Sequence, residues 1–347
     1  MSVNKDFDII MNEITSGLTG DPQADMKYLD KQSQKYKDHP MNTEILRACG
    51  RLMAQLIPED KREELNRLFG NRETGTKAAI EEVKFNIYQK NYDKALTIIE
   101  GVIKNQEQLG FFKDDEVSEY HDFEEFFQEA LYIHLYKPQK DLREAQFPYT
   151  EAYLLNGSVL IDLNRIEDAQ KVFKEGLKWN PVSFALNSEY IETFKVIGQI
   201  DKYFELSLEA FKIAFRPYQI ARCYRNLGYY FIEKELYKEA MGCYILSTFL
   251  DKESDQAQSE MYYIHTKTGG IVKEPTMDEI ASYAQQYSFP IGPDKDVIGL
   301  AMAYGKHFLE NEQKEGAKYL FQIAYDLIQD EEIKKILDSI DSIEGDI

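Results

Sequence analysis

Arg222, Arg225, Asn226 and Tyr229 stand at i, i+3, i+4 and i+7, the spacing that brings side chains onto one stripe of a helix. Two guanidinium groups, an amide and a phenol are good chemistry for gripping a carboxylate or a peptide backbone. Such a stripe is unusual on a chain whose formal net charge is −20. Leu227, Gly228 and Phe231 point elsewhere and supply the packing side. Ser188, Glu189 and Glu192 form the equivalent stripe one helical unit earlier. Two readings stand side by side. The arginines pair with those glutamates, or they contact a ligand.

Other reactive residue types give weaker patterns. His121, Asp122, Glu124 and Glu125 hold metal-ligand chemistry, but their spacing fits no metal motif, and solvated charges at a helix start explain them better. His134 sits among Tyr132, Ile133 and Tyr136 and is expected to be packed. His265 and His307 have no partner at a catalytic spacing. Cys223 and Cys243 fall on helices as small buried hydrophobes. Three cysteines in all, none closely spaced, argue against a disulfide framework or a zinc knuckle. Lys267-Thr268-Gly269-Gly270 lacks the glycine spacing of a phosphate loop and reads as a helix stop. Phe123, Phe126, Phe127, Tyr132 and Tyr136 are too many rings for one buried face, so some are expected to meet a partner or a dimer mate. No catalytic residue, metal or cofactor is assigned.

The elements that must position these residues carry a repeat. Gly157, Ala169 and Phe173 are separated by 12 and then 4 residues, and Gly228, Ala240, Tyr244 and Gly305, Ala317, Phe321 copy that spacing. Tyr153 and Tyr224 stand four residues before two of the glycines. Fixed internal spacing marks a repeat architecture. A small residue lets two antiparallel helices approach, and an aromatic residue one turn after the alanine is expected to fill the hole in the neighbouring unit.

These runs resemble tetratricopeptide repeats. In EAYLLNGSVLIDLNRIEDAQKVFKEGLKWNP, Tyr153 stands where that family prefers tryptophan, and Gly157, Ala169, Phe173 and Pro181 match its pattern. In ARCYRNLGYYFIEKELYKEAMGCYILS, Tyr224, Leu227, Gly228, Phe231, Tyr237, Ala240 and Tyr244 match. Gly305, Phe308, Ala317, Phe321 and Ala324 match in a third run. As a whole the chain resembles a bacterial cytosolic group of such proteins, a likeness that brings no activity with it. The resemblance implies an all-α fold, a right-handed superhelix (α-solenoid) of antiparallel helix pairs with helical caps. It also implies a concave groove lined by the first helix of each unit, in which Arg222, Arg225, Asn226, Tyr229, Ser188, Glu189 and Glu192 would lie. The carboxylate-clamp residues of some family members do not line up here. Some bacterial sensors join a helical bundle to such repeats and bind a short signalling peptide, which gives a regulator as the alternative to a scaffold. A metal-dependent hydrolase built on His121 and its acidic neighbours is a third reading.

Composition agrees with a folded, repetitive chain of 347 residues, 43% hydrophobic and 29% charged. The acidic balance argues against nucleic acid and against an anionic membrane surface. Neither a signal-type leader nor a run of 18 apolar residues is present, so a cytoplasmic protein with no membrane span is expected. Residues 1–75 read as an N-terminal helical cap. Asp21-Pro22 starts one helix, Leu46, Leu52, Leu56 and Ile57 give an apolar face, and Pro58-Glu59-Asp60 opens a short helix ending near Gly70. Residues 76–250 read as the array, with an irregular insertion near 110–148 that contains one aromatic helix, Asp122–Tyr136. Residues 251–347 read as a degenerate repeat, whose second helix opens at Thr276 with a capping box to Glu279, then a final unit and a capping helix near Glu331–Ile343. The loop Phe289–Pro293 is the expected break. A protein or peptide partner follows, with the chain itself a monomer or weak homodimer.

Overall fold

A computed structural model describes residues 3–57 and 75–344. The chain divides into two compact units. The first holds the described residues up to Asp122 with Lys137–Asn164 and Lys178–Asn180. The second holds Phe123–Tyr136, Arg165–Leu177 and the described residues from Pro181 onward. The short helix expected after Pro58 lies outside the described residues.

The first unit begins with α1 (Val3–Ser16), α2 (Pro22–Lys35) and α3 (Asn42–Gln55). Asp21 caps α2 as its sequence announces, accepting from the backbone N–H groups of Gln23 and Ala24 at 3.0 and 2.8 Å, with Pro22 in the first turn. Phe7, Ile14, Leu29, Ile45, Ala48 and Cys49 form the core of these helices, joined by Val117. Leu52 and Leu56 pack against it. Leu46 does not, being 58% exposed; the face turns on Ile45, Ala48 and Cys49 instead, one i, i+3, i+4 stripe. α4 covers residues 75–88 and α5 is Tyr92–Leu109, with Val83, Ala95, Leu96 and Ile99 buried. α5 packs on α7 (Tyr149–Asp162).

The stretch expected to be irregular contains two short strands, β1 (Ser118–His121) and β2 (Asp141–Glu144). They pair in parallel with Ser118 opposite Asp141. The aromatic helix of this stretch, α6, starts at Phe126 rather than Asp122. Gln128 Oε1 accepts from the N–H groups of Glu124 and Glu125, so the side chain closes the helix start at that point.

The second unit contains α6 (Phe126–Tyr136), α8 (Ile166–Trp179) up to Leu177, and α9 (Phe184–Val196) with α10 (Ile200–Ala210). A 3₁₀ turn, Phe211–Ile213, leads to α11 (Pro217–Glu233) and α12 (Tyr237–Leu250). Then come α13 (Asp255–Lys267), α14 (Met277–Tyr287), α15 (Lys295–Glu310), α16 (Lys314–Ile328) and α17 (Glu331–Glu344). α9 packs with α10, α11 with α12 and α15 with α16. α10 also meets α11, α12 meets α13 and α14, and α17 covers α16.

Two of the three glycine–alanine–aromatic copies lie wholly in this unit, and their packing explains the spacing. A Cβ on Gly228 would sit 2.7 Å from the Tyr244 ring, and one on Gly305 would sit 3.2 Å from the Phe321 ring. Each aromatic therefore fills the crossing of its own pair, which corrects the expectation that it reaches into the neighbouring unit. Ala240 and Ala317 are fully buried beside them. The loop Phe289–Pro293 is tied rather than free: the Tyr224 hydroxyl donates to the Pro290 carbonyl at 3.1 Å and accepts from the Gly292 N–H at 2.7 Å. The fold is all-α, built of antiparallel helix pairs, and the α11–α12 and α15–α16 crossings each close on a glycine and an aromatic ring.

Candidate functional site

α11 carries the stripe of interest, and its start is well held. Pro217 occupies the first turn, and Gln219 Oε1 accepts from the N–H groups of Phe215 and Arg216. Nothing in the first turn needs Arg222 or Arg225 as a cap, so both side chains are left to the surface of the helix.

Arg222, Arg225 and Tyr229 are partly exposed, whereas Asn226 is buried and donates to Ser207 Oγ at 3.2 Å. Ser188 is buried as well, at 2% exposure. These two residues are turned into the packing by the i, i+4 drift of a helix face and do not line an open surface. Arg222 donates to Glu189 Oε1 at 3.0 Å, as the pairing reading expects. Arg225 instead donates to Asp251 Oδ2 at 3.0 Å, at the end of α12. Glu192 accepts from the Tyr203 hydroxyl at 3.3 Å and pairs with Lys195 at 3.5 Å. Lys195 Nζ lies 4.2 Å from the Tyr229 ring centroid. Partial burial, then the nearby Glu233 carboxylate, pushes the Tyr229 phenol above its ordinary value. Asp251 and Lys195 thus join the site, and no local sequence signal marked either one.

A cleft of about 440 Å³ lies elsewhere in the same unit, lined among others by Tyr136, Tyr190, Ile191, Leu206 and Ile213. The Glu209–Lys212 pair, 2.6 Å apart, stands in its wall.

The five rings of the insertion are mostly engaged within the chain. Phe127 is fully buried against Phe215, with ring centroids 5.3 Å apart. Tyr132 is buried between Phe123 and Tyr136 at 5.5 and 4.9 Å. Phe126 and Tyr136 remain 45% and 53% exposed, so only these two keep a substantial open face.

The metal-type candidates are each held by protein donors or acceptors. The Nδ1 of His121 lies 3.1 Å from the Trp179 carbonyl, to which it donates. Asp122 accepts from the Thr150 N–H at 2.6 Å, and burial pushes its carboxyl above the ordinary range. Glu124 accepts from Ser183 Oγ at 3.0 Å. Glu125 accepts from Arg216 at 2.6 Å and from the Tyr319 hydroxyl at 2.7 Å. Among the described residues, no three His, Cys, Asp or Glu side chains are grouped to hold a metal ion. His134 meets Asp296 at 3.2 Å, and His307 lies beside Asn311. His265 lies against Gly270, where Gly269 and Gly270, with φ of +62° and +74°, stop α13. Cys49, Cys223 and Cys243 are buried free thiols, and burial pushes all three above their ordinary value. Among the described residues no helix is long and apolar enough to cross a membrane.

No family model matches the chain, and no curated protein matches it. Solved structures do overlap it. The Pseudomonas aeruginosa protein pilF is 13% identical, with a TM-score of 0.41 over 78% of this chain and 99% of that one. A tetratricopeptide repeat protein from Parabacteroides merdae is 10% identical, with a TM-score of 0.39 over 97% and 99%. YrrB, described as a tetratricopeptide repeat protein with an unusual peptide-binding site, is 14% identical, with a TM-score of 0.30 over 62% and 98%. Overlap at this level leaves function to the chain's own geometry.

Proposed function

We propose that the protein is a non-catalytic scaffold that grips an extended protein or peptide segment along the partly exposed faces of α9 and α11. The observation that carries this reading is the partly exposed Arg222–Glu189 ion pair, with the Lys195–Tyr229 contact and the more buried Arg225–Asp251 pair beside it. In the Arg222–Glu189 pair the side chains are 33% and 31% exposed. Ion pairs at such exposure contribute about 0–1 kcal/mol, so a partner's carboxylate can replace Glu189 at small cost. Arginine then offers the incoming group a bidentate donor pair. Tyr229 supplies an amphipathic ring for the backbone next to it.

The partner is a protein or peptide and not nucleic acid, whose phosphates the acidic chain repels. A membrane surface is excluded from the proposal on the same ground. The three buried, unpaired thiols support a reducing, cytoplasmic setting. On this reading the scaffold acts as a monomer or weak homodimer.

The test compares wild type with the Arg222→Ala/Arg225→Ala variant in affinity capture from native cytosol, with thermal melting of both proteins as a folding control. A partner held by wild type and lost by a folded variant is the expected outcome. The same partners on both proteins would remove the site from α11.

A further inference from the structure

Helix α6 comes from the insertion, yet it lies against α15, the first helix of the last pair; His134 and Asp296, which meet at 3.2 Å, are 162 residues apart in sequence. The seat has a definite chemistry. The Phe126 ring rests 5.1 Å from Phe308 and 6.4 Å from Tyr304, both on α15. Phe308 is pressed onto bare backbone, since a Cβ on Gly316 would lie 2.2 Å from its ring. Glu125 is bound by Arg216 and by the Tyr319 hydroxyl, and the Arg216 guanidinium lies 5.2 Å from the Phe215 ring and 5.5 Å from the Tyr319 ring. Phe127 packs on Phe215. A carboxylate followed by two aromatic rings thus meets a guanidinium–phenol junction and two aromatic slots.

We propose that α6 is a displaceable strap, the resident occupant of a docking face on α15 and α16 that takes an amphipathic partner helix opening with an acid and two aromatic residues. The attachments suit reversible seating. The Glu125 and Arg216 side chains are 37% and 24% exposed, and those of His134 and Asp296 are 38% and 72% exposed. Such pairs are individually weak and easily exchanged for equivalent ones. α6 has 11 residues, too few to persist as an isolated helix in water, so its order depends on the seat. Five of its residues are buried, while Ile133, Leu135 and Tyr136 stay 39%, 37% and 53% exposed. Phe127, Ala130, Leu131 and Tyr132 are the buried apolar side chains of α6, and together they set the cost of release. The chain on either side of Phe123–Tyr136 belongs to the other compact unit, so these residues join the second unit through their own contacts. This face is separate from the α11 stripe, and the failure of either proposal leaves the other standing.

The experiment uses the full chain and a fluorescent peptide of residues 122–136. Peptide affinity is measured by anisotropy for wild type and for the Glu125→Gln/Phe126→Ala variant. The apparent affinity of an occupied site falls with the fraction that is open, so the variant is expected to bind about ten-fold tighter or more. Adding Tyr304→Ala and Phe308→Ala is expected to abolish that gain. Equal affinity in wild type and a folded strap variant would overturn the proposal. Hydrogen exchange on the unmodified protein decides the matter even if the variant does not fold. Amides of α6 are expected to exchange faster than those of α11 and α12, and equal protection would show that α6 opens only with the whole unit and sink the idea.

Discussion

Single residues decide whether a helix crossing closes. On α15 two glycines six positions apart have opposite roles. Nothing lies within 4 Å of a Cβ on Gly299, whereas one on Gly305 would meet Phe321 at 3.2 Å. Gly299→Ala is expected to raise stability by about 0.5–1 kcal/mol, because alanine loses less backbone entropy in a helix. Gly228→Ala is expected to cost about 1–3 kcal/mol, since its Cβ would press on the Tyr244 ring. Gly305→Ala should fall between them, and denaturant melts of the three variants give the order. Asp25 makes a pH-dependent contribution of the same local kind. Its carboxylate accepts from the Thr19 N–H, the Thr19 hydroxyl and the Gly20 N–H at 2.8, 2.9 and 2.9 Å. The Thr19 N–H above all holds its carboxyl below the ordinary range. A depressed folded value stabilises above the unfolded value of about 3.9 and is lost as pH falls through the folded one. Amide protection at Thr19 and Gly20 is therefore expected to fade below about pH 4. Asp25→Asn should weaken that protection already at neutral pH.

Elements are secured at their ends. Thr276 and Glu279 cap α14 reciprocally: Thr276 Oγ1 accepts from the Glu279 N–H at 3.3 Å, and Glu279 accepts from the Thr276 N–H at 2.8 Å. Thr276→Ala is expected to cost about 1 kcal/mol, visible as a lower melting midpoint. The loop between α14 and α15 depends on one phenol. Tyr224→Phe keeps the ring on Phe211 at 5.0 Å but leaves the Gly292 N–H and the Pro290 carbonyl without it. A loss of about 1 kcal/mol and faster exchange at Gly292 are expected. Unchanged exchange there would mean that the loop is held without the Tyr224 hydroxyl. The caps at Asp21 and Thr276 were legible in sequence because a cap is a contact over two or three residues. The Tyr224 tie was not, because it spans 66 residues to Pro290 and only the stacking of helix pairs brings its ends together.

Across the molecule the dominant electrostatic fact is the net charge of −20. Self-repulsion at this charge opposes compaction and is screened by salt. The melting temperature is expected to rise between about 10 and 200 mM salt, as the screening length falls from about 30 Å to below 10 Å. A melting temperature that falls over this range would mean that local pairs such as Arg222–Glu189 outweigh the repulsion.

The sequence by itself determined the helix pairs and several helix ends. Spacing marked Gly228, Tyr244, Gly305 and Phe321 as packing residues, but that each aromatic fills the crossing of its own pair, and not the hole in the neighbouring unit, was decided by the structure. The sequence also offered, as one of two readings, that Arg222 and Arg225 pair with Glu189 and Glu192, through the equivalence of adjacent units; of these the structure holds Arg222–Glu189. Only the tertiary structure decided that Arg225 turns to Asp251, that Asn226 and Ser188 are buried, and that residues 118–121 and 141–144 form a parallel ladder. The same holds for α6, whose aromatic composition announced a face without naming what it would face. Periodicity records which side of a helix is buried. The surface that covers it is chosen by contacts distant in sequence, and no local pattern encodes those.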